Sequence, residues 1–295
     1  MDTEKLRLFI TLANSAHFGR AATASHVSPS TVSRNLKQLE DEIGAPLMIR
    51  DNRSVTLTSE GEQFLAFARE TLQHWETFQE TLLSGASDLK GQLSIYCSVT
   101  ASYSFLYDIL REFRQRQPGI AIKLHTGDPA QAIERVIAGL EDIAIAARPD
   151  KLPAGVDFKT IASSPLVFIG PIDKRLLHAD QPLQVNWQHL PMIISEEGLA
   201  RERFSLWCQQ RKLTPSIYAE VKGNEAIVSM VSLGFGIGLV PKIVLENSPL
   251  ANQVELLAEQ PDLGPFETGF CVLQKRLKSP LVAALWQQVT QGGAK

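Results

Sequence analysis

Apolar residues in the first sixty positions repeat at three- and four-residue steps, interrupted by short breaks. Leu6, Phe9, Ile10, Leu12 and Ala13 fall on one face of a helix predicted over residues 5–16. The stretch GRAATASH predicts a second, short helix whose small residues allow close approach by another. In VSPST, Ser28 can accept hydrogen bonds from the free N–H groups of the next turn, and Pro29 lacks the N–H that would be orphaned there, so a third helix starts near Pro29. Val32, Leu36, Leu39 and Ile43 form its packing face, and Ser30, Ser33, Arg34 and Lys37 its polar one. Gly44 suits a left-handed cap, Pro46 blocks continuation, and LMIRDNRSVTLT reads as two β runs around Asp51 and Asn52. The outline is a winged helix-turn-helix.

A long helix follows. Ser59 and Glu62 are expected to form its capping box, and it should run to about Leu83. Leu65, Ala68, Leu72, Trp75, Gln79 and Leu82 trace a heptad seam with one polar member. A domain this small should not cover such a seam, so pairing with a second chain is preferred over packing on its own body. SGASDLKG reads as a hinge.

From residue 92 the pattern changes to β runs alternating with helical stretches, as in βαβ units around a mostly parallel sheet. QLSIYCSV, IAIKLHTG and DIAIAARP are strands of one set; LVFIGP, PMIISE, IYAEVKG and IGLVPK belong to a second. FETGFCVLQKR looks like a strand returning to the first set, and LVAALWQQV a closing helix. Two such lobes leave a cleft beyond the carboxyl ends of their strands.

Charge sharpens the first part of this picture. The chain has 295 residues and a net charge of −3, yet no carboxylate lies between Lys5 and Leu39, where Lys5, Arg7, Arg20, Arg34 and Lys37 all fall. Clustered positive charge in an acidic chain points to a polyanion. A recognition helix reads base edges with its first turn, which here carries Ser30, Thr31, Ser33 and Arg34. Arg20, Lys37, Arg50 and Arg53 suit phosphates, which supply affinity without sequence information. An ordinary three-helix domain with a solvated basic face is the competing account; spacing, capping, turn and wing together favour DNA.

In the second part, strand ends supply the candidates. Ser98, Thr100, Ala101 and Ser102 follow the first strand, where free N–H groups favour an anion such as a carboxylate. Thr126 and Asp128 follow the second strand and Arg148 the third; Ser195, Glu196 and Arg201 follow PMII; Gly223, Asn224 and Glu225 open the helix after IYAEV. The serines and threonines could equally be helix caps, whereas Arg148 has less structural excuse.

Other chemistry finds little footing. LGFGIG follows a helix and precedes a strand, the reverse of a dinucleotide fingerprint, so it reads as a helix end with tight packing. There is no G-x-S-x-G, no P-loop and no histidine beside a plausible nucleophile, so no enzymatic activity is expected. Metal-ligand spacings are absent and no cofactor is expected. Cys97, Cys208 and Cys271 read as buried thiols of a reducing cytoplasm. Neither an export signal nor a membrane-spanning run is read in the chain.

Over almost its whole length the sequence resembles the LysR-type transcriptional regulators, through Phe9 and LANSAHFGRAATASHVSPSTVSRNLKQLEDEIGAPLMIRDNRSVTLTSEG. The resemblance implies a winged-helix domain at 1–58, a dimerising linker helix and hinge at 59–90 with Leu65, Ala68, Leu72, Trp75 and Leu82 in the seam, and a periplasmic-binding-protein-like effector domain at 91–295. That domain would have two Rossmann-like lobes, I at about 91–161 and 266–295 and II at about 162–265. Implied partners are a double-stranded operator, a small carboxylate inducer, further copies in a dimer and a tetramer of two dimers, and RNA polymerase; the implied place is the cytoplasm, at the nucleoid. Ser30, Thr31, Ser33 and Arg34 match the operator-contacting positions. Ser98, Thr100, Ser102 and Thr126, with Ser195 and Asn224 opposite, match the effector cleft. Within the family, CSVTASYS, YAEVKGNEAIVSMVSLGFGIGLVP and VLENSP are most similar to the isoleucine–valine pathway regulators that activate the acetohydroxy-acid isomeroreductase gene. That implies acetolactate and acetohydroxybutyrate as inducers. A regulator of another pathway with a different carboxylate effector, or a solute-binding protein with an accessory domain, are the alternatives.

Overall fold

The computed structural model describes residues 2–51, 54–83, 89–104, 106–173, 190–258, 260 and 262–292. Its contacts divide the chain into two units, Met1–Gly85 and Ala86–Lys295.

In the first unit, α1 (Thr3–Ser15), α2 (Phe18–Ala24) and α3 (Pro29–Ile43) precede the hairpin of β1 (Met48–Asp51) and β2 (Ser54–Leu57), and α4 (Ser59–Leu83) ends the unit. The boundaries have local causes. Ser28 caps α3 by accepting from the Thr31 N–H, and Gly44 closes it at φ 79°, where a side chain would be strained. His17 caps α2: its Nδ1 accepts from the Gly19 and Arg20 N–H groups at 3.0 and 3.2 Å. The cap of α4 lies one residue earlier than the expected Ser59–Glu62 box. Thr58 Oγ1 accepts from the Gly61 N–H at 2.9 Å and donates to the Pro46 carbonyl at 2.8 Å, so the residue that starts the helix also fastens the loop before β1. A side chain at position 61 would collide with the Leu47 carbonyl, so glycine is required there.

Leu6, Phe9, Leu12, Val32, Leu36 and Leu39 form the core of this unit, joined by Ala21 and Ala22, whose small side chains let α2 pack closely. Phe64, Ala68 and Leu72 of α4 belong to the same core, with Phe64 edge-on to Phe9 at a centroid distance of 5.0 Å.

In the second unit, one five-stranded sheet has the order β4-β3-β5-β12-β6, from β3 (Gly91–Cys97), β4 (Ile120–Thr126), β5 (Ile143–Ala147), β6 (Val156–Ser163) and β12 (Glu267–Leu273). α5 (Val99–Ser104), α6 (Leu106–Arg116), α7 (Ala132–Ile137) and α11 (Pro280–Gly292) complete this lobe. The other sheet runs β11-β7-β10-β8-β9, from β7 (Leu166–Pro171), β8 (Pro191–Ser195), β9 (Ser216–Val221), β10 (Ile237–Pro241) and β11 (Val254–Leu256), with α8 (Leu199–Arg211), α9 (Asn224–Ser232) and α10 (Lys242–Glu246).

Both sheets are mixed rather than mostly parallel. β3 is parallel to β4 and β5, and β8 to β9 and β10, but β12 and β7 run antiparallel to their neighbours. The antiparallel members adjoin the crossings: β6 leads directly into β7, and the chain re-enters the first lobe through β12. Buried Ser164 sits at one crossing, donating its N–H to the Phe266 carbonyl of the other at 2.9 Å while its Oγ accepts from the Ile243 N–H. As expected, LGFGIG ends α9. Gly234 and Gly236 have positive φ, and side chains at 236 and 238 would strike the Pro191 carbonyl and Ile227. Among the described residues no helix is long and apolar enough to cross a membrane.

Candidate functional site

In the first unit, α3 presents Ser30, Arg34 and Lys37 to solvent, with Thr31 and Ser33 half-buried beside them, while Val32, Leu36 and Leu39 face inward. The polar first turn is organised by Ser28, whose Oγ lies 2.7 Å from Ser30 Oγ and 2.8 Å from Thr31 Oγ1. The Ser30 and Thr31 hydroxyls are therefore both held by the capping residue. Arg20 is exposed in the first turn of α2, and Arg20, Arg34 and Lys37 make no ion pair among the described residues. Arg50 lies on β1; Arg53 lies outside the described residues. Lys5 and Arg7 contribute less to the positive face than their place in the sequence suggests. Lys5 pairs with Glu42 at 3.0 Å and Arg7 with Glu76 at 2.7 Å, acids that lie beyond the carboxylate-free stretch.

In the second unit a cavity of about 160 Å³ lies between the lobes. Asp128, Ser195, Gly223 and Asn224 line it, together with Glu197, Glu202, Gly198 and Phe266, which sequence reasoning did not single out. Asp128 is fixed twice: its Oδ1 accepts from the Ala130 N–H at 3.0 Å, and its carbonyl accepts from the Tyr96 hydroxyl at 3.0 Å. Burial raises the Tyr96 phenol above its usual value, which keeps it a donor, and the Arg135 guanidinium lies over its ring at 4.6 Å. Gly127 permits this, because any side chain there would overlap the Tyr96 hydroxyl.

The remaining candidates divide. Thr100, almost fully buried, directs its N–H and hydroxyl at Glu225 of the opposite lobe, the N–H at 2.6 Å. Ser98 Oγ accepts from the Ala101 N–H at 3.2 Å, and Ser102 Oγ donates to the Val99 carbonyl at 2.6 Å, so both serve the backbone of α5. Thr126 is exposed at the end of β4, and exposed Glu196 pairs with Lys222 at 3.7 Å. Arg148 does not line the cavity. It pairs with Glu267 at 3.3 Å and lies over the Phe158 ring at 5.9 Å, so it has the structural occupation that its sequence context did not reveal. Arg201 likewise pairs with Glu220 at 2.9 Å. The cavity is thus lined by three carboxylates, Asp128, Glu197 and Glu202, and by no lysine or arginine among the described residues.

Residues 3–62 match the bacterial regulatory helix-turn-helix protein of the lysR family, and residues 86–294 match the LysR substrate binding domain. The chain belongs to the LysR family of transcriptional regulators. The HTH-type transcriptional activator IlvY of Salmonella typhimurium is 45% identical over 294 residues, covering 97% of this chain and 99% of the relative. The HTH-type transcriptional regulator IlvY of Escherichia coli is 44% identical, covering 97% and 98%. Among solved structures, the LysR family transcriptional regulator CbnR shares the fold with a TM-score of 0.66 at 20% identity, over the full length of both chains.

The two matched domains of this LysR regulator account for both sites, a DNA-binding head and an effector-binding body, and neither is enzymatic. The helix after the wing departs from expectation. Ala68 and Leu72 are buried in the head's own core and Leu65 packs against it, so the first half of the presumed seam is not free for a second chain. One small domain does cover it, because α1 lies along α4 and supplies the apolar partner. Trp75 and Leu82 remain exposed, and so do Phe67 and Phe78, which the heptad count omitted; Phe78 lies 6.0 Å from Trp75 between ring centroids.

Proposed function

We propose that this LysR regulator activates the acetohydroxy-acid isomeroreductase gene of branched-chain amino-acid synthesis when acetolactate or acetohydroxybutyrate enters the cleft of the second unit. The observation that carries the reading is the 45% identity to the activator IlvY, sustained across 97% of the chain and therefore across both the DNA-binding and the effector-binding parts. The cavity supports it in size. At about 160 Å³ it is smaller than the pockets of drug-sized ligands, roughly 300–1,000 Å³, and suits an acid of few carbons. With no lysine or arginine in its described lining, backbone N–H groups and hydroxyls would hold the effector carboxylate, with Ser195 and Asn224 of that lining the natural donors, joined by Thr100 beside it, whose N–H is directed at Glu225. Asp128 would accept from the effector hydroxyl.

In this reading Ser30, Thr31, Ser33 and Arg34 contact operator bases, and Arg20, Lys37, Arg50 and Arg53 contact phosphates. The protein acts in the cytoplasm, at the nucleoid, as dimers joined through the exposed part of α4 and assembled into a tetramer. Effector closes the cleft, alters how the dimers pack, and changes the spacing and bend of bound DNA, so that RNA polymerase is engaged. This requires different effector affinities for the two arrangements. Footprinting and bend measurement on the promoter of the isomeroreductase gene test the proposal. Acetolactate should shorten the footprint or change the bend angle. An unchanged footprint and bend at saturating acetolactate and acetohydroxybutyrate would overturn it.

A further inference from the structure

Glu225 stands in the first turn of α9 in one lobe and Thr100 at the start of α5 in the other, 125 residues apart in sequence. One oxygen of the Glu225 carboxylate, Oε1, accepts both the Thr100 N–H and the Thr100 hydroxyl. Thr100 is 2% exposed, so no water competes freely for these donors. The contact adjoins the cavity, because Gly223 and Asn224, the two residues before Glu225, line it. The other oxygen, Oε2, lies against Gly223: a β-carbon there would sit 3.3 Å from it, at a backbone φ of +83°. The charge of Glu225 also reaches the end of β3, where it adds to burial in raising the Cys97 thiol to about 11.

We propose that Glu225 is an internal stand-in for the effector carboxylate, a latch that joins the lobes through Thr100 and must be displaced when effector binds. The proposal rests on the effector-cleft reading given above and adds a competitor to it. The logic is one of shared donors. The Thr100 N–H and hydroxyl are the polar pair on this lobe best able to hold a carboxylate, and they cannot serve two carboxylates at once. Hydrogen bonds to an ionised acceptor are roughly twice as strong as neutral ones, so an incoming anion must match a strong internal partner before it gains anything. The incoming carboxylate adds a negative charge to a cleft that already holds Asp128, Glu197 and Glu202, so repulsion helps drive the Glu225 carboxylate away as the tie between the lobes is broken. Effector binding is thereby converted into release of an inter-lobe contact, and the lobes become free to take the second arrangement. Binding and latch closure are mutually exclusive, so each weakens the other by the same factor.

The test compares full-length wild type with Glu225→Gln, which keeps the length of the side chain and removes its charge, and with Thr100→Val, which keeps the shape and removes the hydroxyl. Racemic 2-acetolactate is titrated by calorimetry, and hydrogen exchange is followed over residues 98–104 without ligand. E225Q should bind acetolactate more tightly, by about tenfold, within the roughly 5- to 150-fold range of such couplings. Its unliganded exchange over residues 98–104 should be faster than in wild type, with acetolactate restoring protection. T100V should bind more weakly than wild type. Equal or weaker binding by E225Q, or unchanged exchange, overturns the latch while wild-type binding leaves the effector reading in place. Absence of binding by wild type and E225Q alike overturns both.

Discussion

The carboxylate of Glu40, in the last turn of α3, accepts the backbone N–H of Leu47 at 2.9 Å, and the N–H of Met48 at 3.3 Å, so α3 and the first strand of the hairpin are tied by one side chain. Its position fixes the angle between the two elements expected to touch DNA. Replacing Glu40 by Ala leaves two half-buried donors without that acceptor, at a cost of about 1–3 kcal/mol. Urea denaturation should report that loss for the first unit's transition. Operator affinity should fall further than the stability loss explains, because the wing is no longer held. E40A with unchanged stability would show that the tie is not used.

Arg34 and Lys37 lie on the same exposed side of α3 but should fail differently. Arg34→Ala, in the turn proposed above to read bases, should cost about 1–3 kcal/mol of operator binding and reduce preference for operator over random duplex. Lys37→Ala should weaken binding to all duplexes alike and lower the dependence of log K on log salt by about one. Neither is buried, so the melting temperature should hold. Mobility shifts at two salt concentrations with operator and random DNA separate the two behaviours.

Along α4, the buried and exposed halves of the apolar face make opposite predictions. Leu72→Ala removes buried volume from the head's core and should destabilise it by about 2–5 kcal/mol. Phe78→Glu and Leu82→Glu alter side chains exposed by 53% and 66%, leaving the head's core intact, and should lower the mass of the assembly seen by sedimentation. An assembly unchanged by F78E and L82E would move the inter-chain contact off this face.

Burial pushes the Cys97 thiol up to about 11 and the Cys271 thiol to about 12, from an ordinary value of 9.0. The folded state therefore holds these protons at pH values where the unfolded chain releases them. Their contribution is complete below about pH 9 and drains as pH rises toward 11 and 12. Between pH 8 and 10.5 wild type should lose urea stability more steeply than the double variant C97A/C271A. Iodoacetamide should label these positions only as the protein unfolds. Parallel pH profiles for the two proteins would contradict the assignment.

Much of the head was legible because its signals are local. Ser28, Pro29 and Gly44 bound α3 through hydrogen bonds and backbone angles that involve only their near neighbours, and the polar and apolar faces follow from a period of 3.6 residues. The capping of α4 was misplaced by one residue because Thr58 and Ser59 are chemically equivalent caps. The choice between them is made by the Pro46 carbonyl, twelve residues back in the chain. β6 and β11 were missed for a related reason: each is defined by pairing with a strand distant in sequence, and neither has a strong apolar pattern of its own.

By itself the sequence determined which residues could form helices and strands, that a cationic first domain precedes an α/β body, and that hydroxyls cluster at strand ends. The tertiary structure alone decided which surfaces are covered and which charges are answered. Ala68 and Leu72 are buried in the head's own core rather than open to solvent, Arg148 meets Glu267 across 119 residues of chain, and Thr100 meets Glu225 across 125. Periodicity assigns a side chain to a face of its own element, whereas its partner is set by how distant elements close around a shared core. That closure depends on the summed packing of the whole unit and is written in no short segment.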